Sequence, residues 1–419
     1  MSMAIGLTGR RKLSPGEIGV VLDAHERFVS GRAGGKRAVL KFVDLSGFDF
    51  SGRDLSDADL SASILDGAKL VRTRLERASL FGSDLRKADL RGAILIRADL
   101  RGACLRGANL SQADLTQADF RVGQIAMPHP SKGLSSLTHQ QRYGELDNAI
   151  LAGATLSGSQ MEEASLFASD FTDCTLTGAK LARANFKDAN LSGAILDGAD
   201  LNGANLEGAN LSYSVADVDL RCARTSGSTD LTGMIAAPSA EVMARAPSLL
   251  AQARGNHEWC RTGQGRPACF DGEDLRPLAR SLRGLRLSAV SARRAIMVGL
   301  DLAGAHLQGA NLEGADLRSA NLRGADLRGA RLVGANLTRA DLTQAQLSPL
   351  PLGAGRQTVS VLENARLRYS LAPSADFADA QMDGVDLRGC DLTGAVLRGA
   401  QLAGAQFDSA IGLEAALAA

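Results

Sequence analysis

Aromatic residues are scarce in this chain. Phe, Trp and Tyr make up 4% of its 419 residues, with one Trp and three Tyr. That scarcity removes the stacking platforms on which single-stranded nucleic acids are held. A dominant charge is lacking too, since 47 Lys and Arg face 46 Asp and Glu. A near-neutral chain has no global pull toward nucleic acid or an anionic membrane, so direct nucleic-acid binding is not expected. No apolar run approaches the ~20 residues needed to span a bilayer. Arg10, Arg11 and Lys12 are followed by no apolar segment, which argues against a secretory leader. The six cysteines (Cys104, Cys174, Cys222, Cys260, Cys269 and Cys390) include no Cys-x-x-Cys pair. Scattered single thiols predict a reduced, cytoplasmic protein.

What is abundant is leucine at a fixed step. Leu40, Leu45, Phe50, Leu55, Leu60 and Leu65 open a run that continues at every fifth residue to Phe120. On an α-helix five residues turn through about 500°, so these side chains would spiral and form no stripe. On a strand, five residues alternate faces and half the leucines would meet water. A chain that turns a corner every five residues buries them all, which predicts an all-β solenoid. Two positions before each leucine the residue is small, as at Ala58, Ala68, Ala78, Ala88 and Ala98. Asp or Asn often comes just before it, as at Asp59, Asp89, Asp99 and Asn109. Gly92, Gly102 and Gly107 stand two positions after, where a turn with φ > 0 is expected. The predicted core is a stack of Leu and Ala that includes Leu60, Leu80, Leu100, Leu110, Leu206, Leu317 and Leu322.

Ala108-Asn109-Leu110-Ser111-Gln112, Ala204-Asn205-Leu206-Glu207-Gly208 and Ala315-Asp316-Leu317-Arg318-Ser319 are clean copies of one unit. The pattern resembles the pentapeptide-repeat family, with its Ala-(Asp/Asn)-Leu-x-x repeat. The resemblance implies a right-handed quadrilateral β-helix with four repeats per coil.

Along the chain, residues 1–37 read as a helical head. Ser14-Pro15-Gly16-Glu17 is a capping box with proline at the first helical position. Ile18, Val21, Leu22 and Phe28 give it an apolar stripe to cover the open edge of the first coil. Array 1 spans 38–125, and a break spans 126–148. Array 2 spans 149–225. A second head spans 226–268, array 3 spans 269–347, a loop spans 348–361, array 4 spans 362–410, and a short capping tail spans 411–419. The step from Leu347 to Leu362 keeps the five-residue phase, as expected of a loop thrown out of a continuous solenoid. The two heads read as an internal duplication. His25-Glu26 and His257-Glu258 follow Pro15 and Pro247 at the same distance, and each precedes a glycine-rich turn. The stretch from His139 to Gly144 is a weak third match.

None of these motifs carries catalysis. A zinc protease needs a second histidine four residues after the first, where Val29 and Arg261 stand. Gly31-x-x-Gly34-Gly35-Lys36 lacks the Ser or Thr of a phosphate loop, and the turn around Gly263 lacks the lysine. His257, Cys260 and Cys269 match no familiar metal spacing. A filled core leaves no substrate cavity. No enzyme, cofactor or metal is therefore expected. The preferred reading is a scaffold or adaptor for a protein partner. Its candidate docking residues are His25, Glu26 and Gly31 in the first head and His257, Glu258, Trp259 and Gly263 in the second. Phe81, Ile94 and Ile96 join them as outward apolar residues.

Charge is uneven between arrays. Array 2 sets Lys180, Arg183 and Lys187 against Glu162, Glu163, Asp170, Asp173, Asp188, Asp197, Asp200 and Glu207. Array 3 is arginine-rich, with Arg276, Arg280, Arg283, Arg286, Arg293, Arg294, Arg318, Arg323 and Arg328. Complementary segments of this kind suit self-association as well as a foreign partner. The resemblance also brings a DNA-mimicking binder of a type II topoisomerase into view. Near-neutral charge and arginine-rich arrays disfavour it, because mimicry needs a phosphate-like negative potential. A ligand-responsive regulator working through the two heads is the third reading.

Overall fold

The computed structural model describes residues 10–129 and 133–418. They fall into two compact units, Met1–Ala237 and Pro238–Ala419.

The first unit opens with β1 (Arg11–Lys12) and α1 (Pro15–Val29). The Ser14 hydroxyl accepts the Glu17 N–H and the Glu17 carboxylate accepts the Ser14 N–H, so the capping box is complete. Ile18, Leu22 and His25 are the buried side chains of α1. Phe28, expected in the apolar stripe, is instead exposed and stacks on the His25 ring with centroids 5.7 Å apart. His25 takes the last inward place, and the helix ends one residue past Phe28. β1 pairs in parallel with β2 (Val43–Asp44) on the first coil.

From there the backbone climbs in coils of four repeats. Val39 pairs with Asp59, Asp59 with Ser79, and Ser79 with Asp99, a parallel step of twenty residues. Each leucine N–H donates to the coil above, as Leu60 does to the Ser79 carbonyl at 2.8 Å. Each side ends in a tight turn. The Ala58 N–H donates back to the Leu55 carbonyl at 3.1 Å, and Asp57 sits at φ +63°. A positive φ at the third residue marks a type II turn. Gly92 and Gly102 occupy that place without strain, whereas Arg72 and Arg97 hold the same left-handed backbone at a cost of about 1–2 kcal/mol. Leu60, Leu80, Leu100, Leu110 and Leu206 are buried in one continuous core, and each such side chain contributes roughly 1.5–3 kcal/mol.

Arrays 1 and 2 form this single stack. Cys104 pairs with Glu145 and Asn109 with Ile150, forty-one residues on instead of twenty. The extra residues leave as an antiparallel hairpin, β3 (Gly123–His129) and β4 (Gly133–Arg142). Leu146 is already in the core, so the coil resumes within the expected 126–148 break. The stretch from His139, read as a worn third head, instead continues β4 to Arg142. A 3₁₀ turn at Leu220–Cys222 interrupts the last coil, where β5 (Val215–Ala216) still pairs with β6 (Ile235–Ala236) twenty residues on. Residues 226–236, assigned to the second head from sequence, thus complete this coil.

The second unit opens with α2 (Ala240–Thr262), capped by the Ser239 hydroxyl. Pro247 lies inside α2, whereas Pro15 begins α1, so the two prolines are not equivalent. Leu249, Ala253 and Asn256 are its buried residues. The first coil step, Cys269 to Ser291, takes twenty-two residues because a 3₁₀ turn at Arg276–Leu278 intervenes. Regular twenty-residue steps follow, with Leu317 and Leu322 in the core. Arg331 pairs with Val361, thirty residues on, across a hairpin of β7 (Leu350–Gly353) and β8 (Arg356–Thr358). The preserved phase from Leu347 to Leu362 thus corresponds to a loop thrown out of one stack. α3 (Leu413–Ala418) closes the end, its buried Ala416 accepting the Leu397 N–H at 2.9 Å.

Candidate functional site: the two heads and the outward columns

Each head is tied to its array through one buried side chain. In the first, the His25 Nδ1 accepts the N–H of Ala38, the first residue of the array, at 3.0 Å. In the second, the Asn256 Oδ1 accepts the N–H of Ala268 at 2.7 Å, and its amide donates to the carbonyls of Arg286 at 3.1 Å and Ser288 at 3.3 Å. The structural counterpart of His25 is therefore Asn256, and the His25–His257 alignment is one residue out. His257 is half-buried and accepts the Arg286 N–H at 3.1 Å.

The other head residues have local partners. Glu26 is exposed and lies 3.8 Å from Arg53. Glu258 pairs with Arg261 at 2.7 Å, which lowers its carboxyl from the usual value. Trp259 is half-buried, and its carbonyl accepts the N–H of Gly263, the left-handed cap of α2 at φ +73°. Gly31 has the matching conformation after α1, at φ +67°. Gly35 matters for a different reason, because a Cβ there would collide with the backbone of Phe28. These glycines are used to turn the chain from helix to coil.

The columns outside the coils are ordered by the Asp-Leu-Arg sequence. Residues two apart on a strand share a face. Asp89 therefore receives the Nε and Nη2 of Arg91 at 2.8 and 2.7 Å. Asp84 with Arg86, Asp99 with Arg101, Asp326 with Arg328 and Asp386 with Arg388 repeat the fork. The paired guanidinium pushes Asp219 down to about 2, through Arg221, and Asp271 to about 2, through Arg293. In array 2 hydroxyls replace many arginines, as where the Thr172 N–H and Oγ1 donate to Asp170 at 3.0 and 2.5 Å.

The three outward apolar residues are all half-buried and do not share a face. Ile94 and Ile96 flank Leu95 on one side of the coil, whereas Phe81 follows Leu80 on another. The Arg101 guanidinium lies 5.5 Å from the Phe81 ring centroid. Gly123, at the root of β3, packs so closely that a Cβ would stand 3.0 Å from that ring. Phe81 is thus a footing for the hairpin.

The thiols fit a structural role. Burial raises Cys104, whose Sγ lies 3.3 Å from Glu145, and pushes Cys390 up to about 12. Such groups are poor nucleophiles. Among the described residues no three His, Cys, Asp or Glu are placed to hold a metal, so His257, Cys260 and Cys269 form no such site. No helix among them is long and apolar enough to cross a membrane.

The model of the pentapeptide-repeats family matches residues 36–70, 65–95, 93–121, 168–208, 286–324, 320–348 and 375–411, more than half of the chain. The chain belongs to the pentapeptide-repeat family. Pentapeptide-repeat proteins are also found among similar solved structures. HetL, described as involved in heterocyst differentiation regulation in the cyanobacterium Nostoc sp. strain PCC 7120, is 23% identical over 78% of this chain and 89% of its own, with a TM-score of 0.15. QnrB1, described as a plasmid-mediated fluoroquinolone resistance protein, is 21% identical over 51% and 92%, with a TM-score of 0.23. A pentapeptide-repeat protein of the Arabidopsis thaliana thylakoid lumen is 30% identical over 34% and 66%, with a TM-score of 0.12. A search among curated proteins finds no match.

Proposed function

We propose that this pentapeptide-repeat protein is a non-enzymatic, cytoplasmic scaffold whose coils form right-handed quadrilateral β-helices. The helical heads cap the coils, and the outer faces bind a protein partner. One observation carries the reading. Leu and Ala fill the coils, while the chemistry-bearing side chains stand outside in fixed columns. Catalysis calls for a concave site with convergent polar groups. A column of side chains at a fixed coil spacing, on the order of 4.8 Å, suits a broad protein surface instead. The topoisomerase mimic has less support, because the Asp columns that would imitate phosphates carry forked arginines. The ligand-responsive reading has less support too, since the head glycines are used in turns.

The test is capture of partners from native lysate with the full-length protein, followed by cross-linking mass spectrometry. Wild type is compared with an Arg323→Glu, Arg331→Glu variant, both side chains being 54% exposed. The scaffold reading expects a stoichiometric protein cross-linked to outward positions, with unchanged melting in the variant if the columns bind it. Capture of a second copy alone replaces the foreign partner with self-association. Nucleotide binding at the heads, measured by calorimetry, replaces the scaffold with the regulator.

A further inference from the structure

The His25 ring is fully buried, and its Nδ1 accepts the Ala38 N–H at 3.0 Å. A neutral ring that accepts at Nδ1 carries its proton on Nε2. Nε2 is buried beside the Ser56 backbone, a neighbour that favours the charged ring, but among the described residues it completes no hydrogen bond of good geometry. A second proton would have to go onto Nδ1, where the Ala38 N–H already points. The charged ring would then face a donor with a donor, on the face of α1 where Ile18 and Leu22 are buried as well.

We propose that His25 is an acid-sensitive latch: protonation of its ring releases α1 from the first coil, whereas the Asn256 anchor of the second unit holds through the same pH range. The two anchors receive equivalent N–H groups, but an amide oxygen does not titrate. The groups facing His25 are few. Burial, the largest influence, pushes the ring below the ordinary histidine value, and Arg37 adds to it. Asp54 and Asp57, with the nearby Ser56 backbone, oppose it from the coil side. From α1 itself Phe28 stacks on the ring, and Glu26 pairs with Arg53. The sign follows from the lowered value. The released helix binds a proton that the docked helix excludes, so docking is complete above about pH 6.5 and weakens as pH falls toward the docked value. His257 also accepts an N–H at Nδ1, but Asn256 keeps three buried hydrogen bonds beside it. With α1 docked, β1 also pairs with the first coil, at Val43–Asp44.

The experiment is hydrogen–deuterium exchange of the full chain at pH 7.4 and pH 5.0, with rates corrected for intrinsic exchange. Protection of α1 is expected to fall about tenfold relative to α2 on acidification. His25→Asn, which borrows the anchor of the second unit, is expected to abolish the loss. Asn256→His is expected to transfer it to α2. Equal protection of α1 at both pH values overturns the proposal, and so does an acid loss that persists in His25→Asn. If His25→Asn leaves α1 undocked at pH 7.4, NMR titration of the wild-type His25 ring decides instead. A ring that titrates as α1 loses protection supports the latch. A ring that stays neutral while protection falls overturns it.

Discussion

In the first unit the N–H that opens the array is received by His25, and in the second by Asn256. α1 has 15 residues and starts at its proline, whereas α2 has 23 and carries Pro247 within it. The helices differ in length, sequence and entry, yet each lays a buried acceptor on the same backbone group. The end of a solenoid leaves ladder groups unpaired, and a buried N–H without a partner is costly. The difference between the heads teaches that this demand for an acceptor is what the two share.

The largest effects should be alike in both units. Leu100→Asp in the first and Leu322→Asp in the second each bury an unpaired charge among Leu and Ala. Each should destabilise its unit by upward of about 4 kcal/mol. Thermal unfolding by circular dichroism checks this, and a mild effect at either site would break the inside–outside assignment on which the comparison rests.

A smaller effect sharpens the contrast between the anchors. Asn256→Ala leaves the Ala268 N–H and two carbonyls without their partner and should cost about 1–3 kcal/mol. The signal of Trp259, the sole tryptophan, which lies in α2, should melt earlier. An unchanged melt would remove Asn256 as the counterpart of His25.

The smallest effect lies outside. Arg323 is exposed and 3.1 Å from Asp341. Arg323→Ala should stay within about 0.5 kcal/mol of wild type in denaturant unfolding.

The solenoid was legible because its five-residue step excludes both helix and strand, so Leu and Ala positions predict burial directly. The second hairpin was legible for a related reason, since Leu347 and Leu362 stay in phase. From Phe120 to Leu146 the phase slips by one residue, which hid the fact that arrays 1 and 2 are one stack. The pairing of Asn256 with His25 was hidden by an adjacent histidine. Spacing to the first anchored alanine does not reveal it either, being thirteen residues from His25 to Ala38 and twelve from Asn256 to Ala268. Nor could the forked Asp–Arg contacts around Phe81 be placed before the hairpin root at Gly123 was known.

The claim that each unit is one stack with a hairpin thrown out is tested most directly at Cys104. Its bridge partner is Glu145, beyond the hairpin, with Sγ 3.3 Å from the carboxylate. Neighbouring strands lie about 4.8 Å apart, within the Cα range of a disulfide. Glu145→Cys with mild oxidation should therefore give a peptide cross-linked to Cys104 in mass spectrometry of the folded protein. Two free thiols in a folded, oxidised sample would contradict the stack and separate arrays 1 and 2.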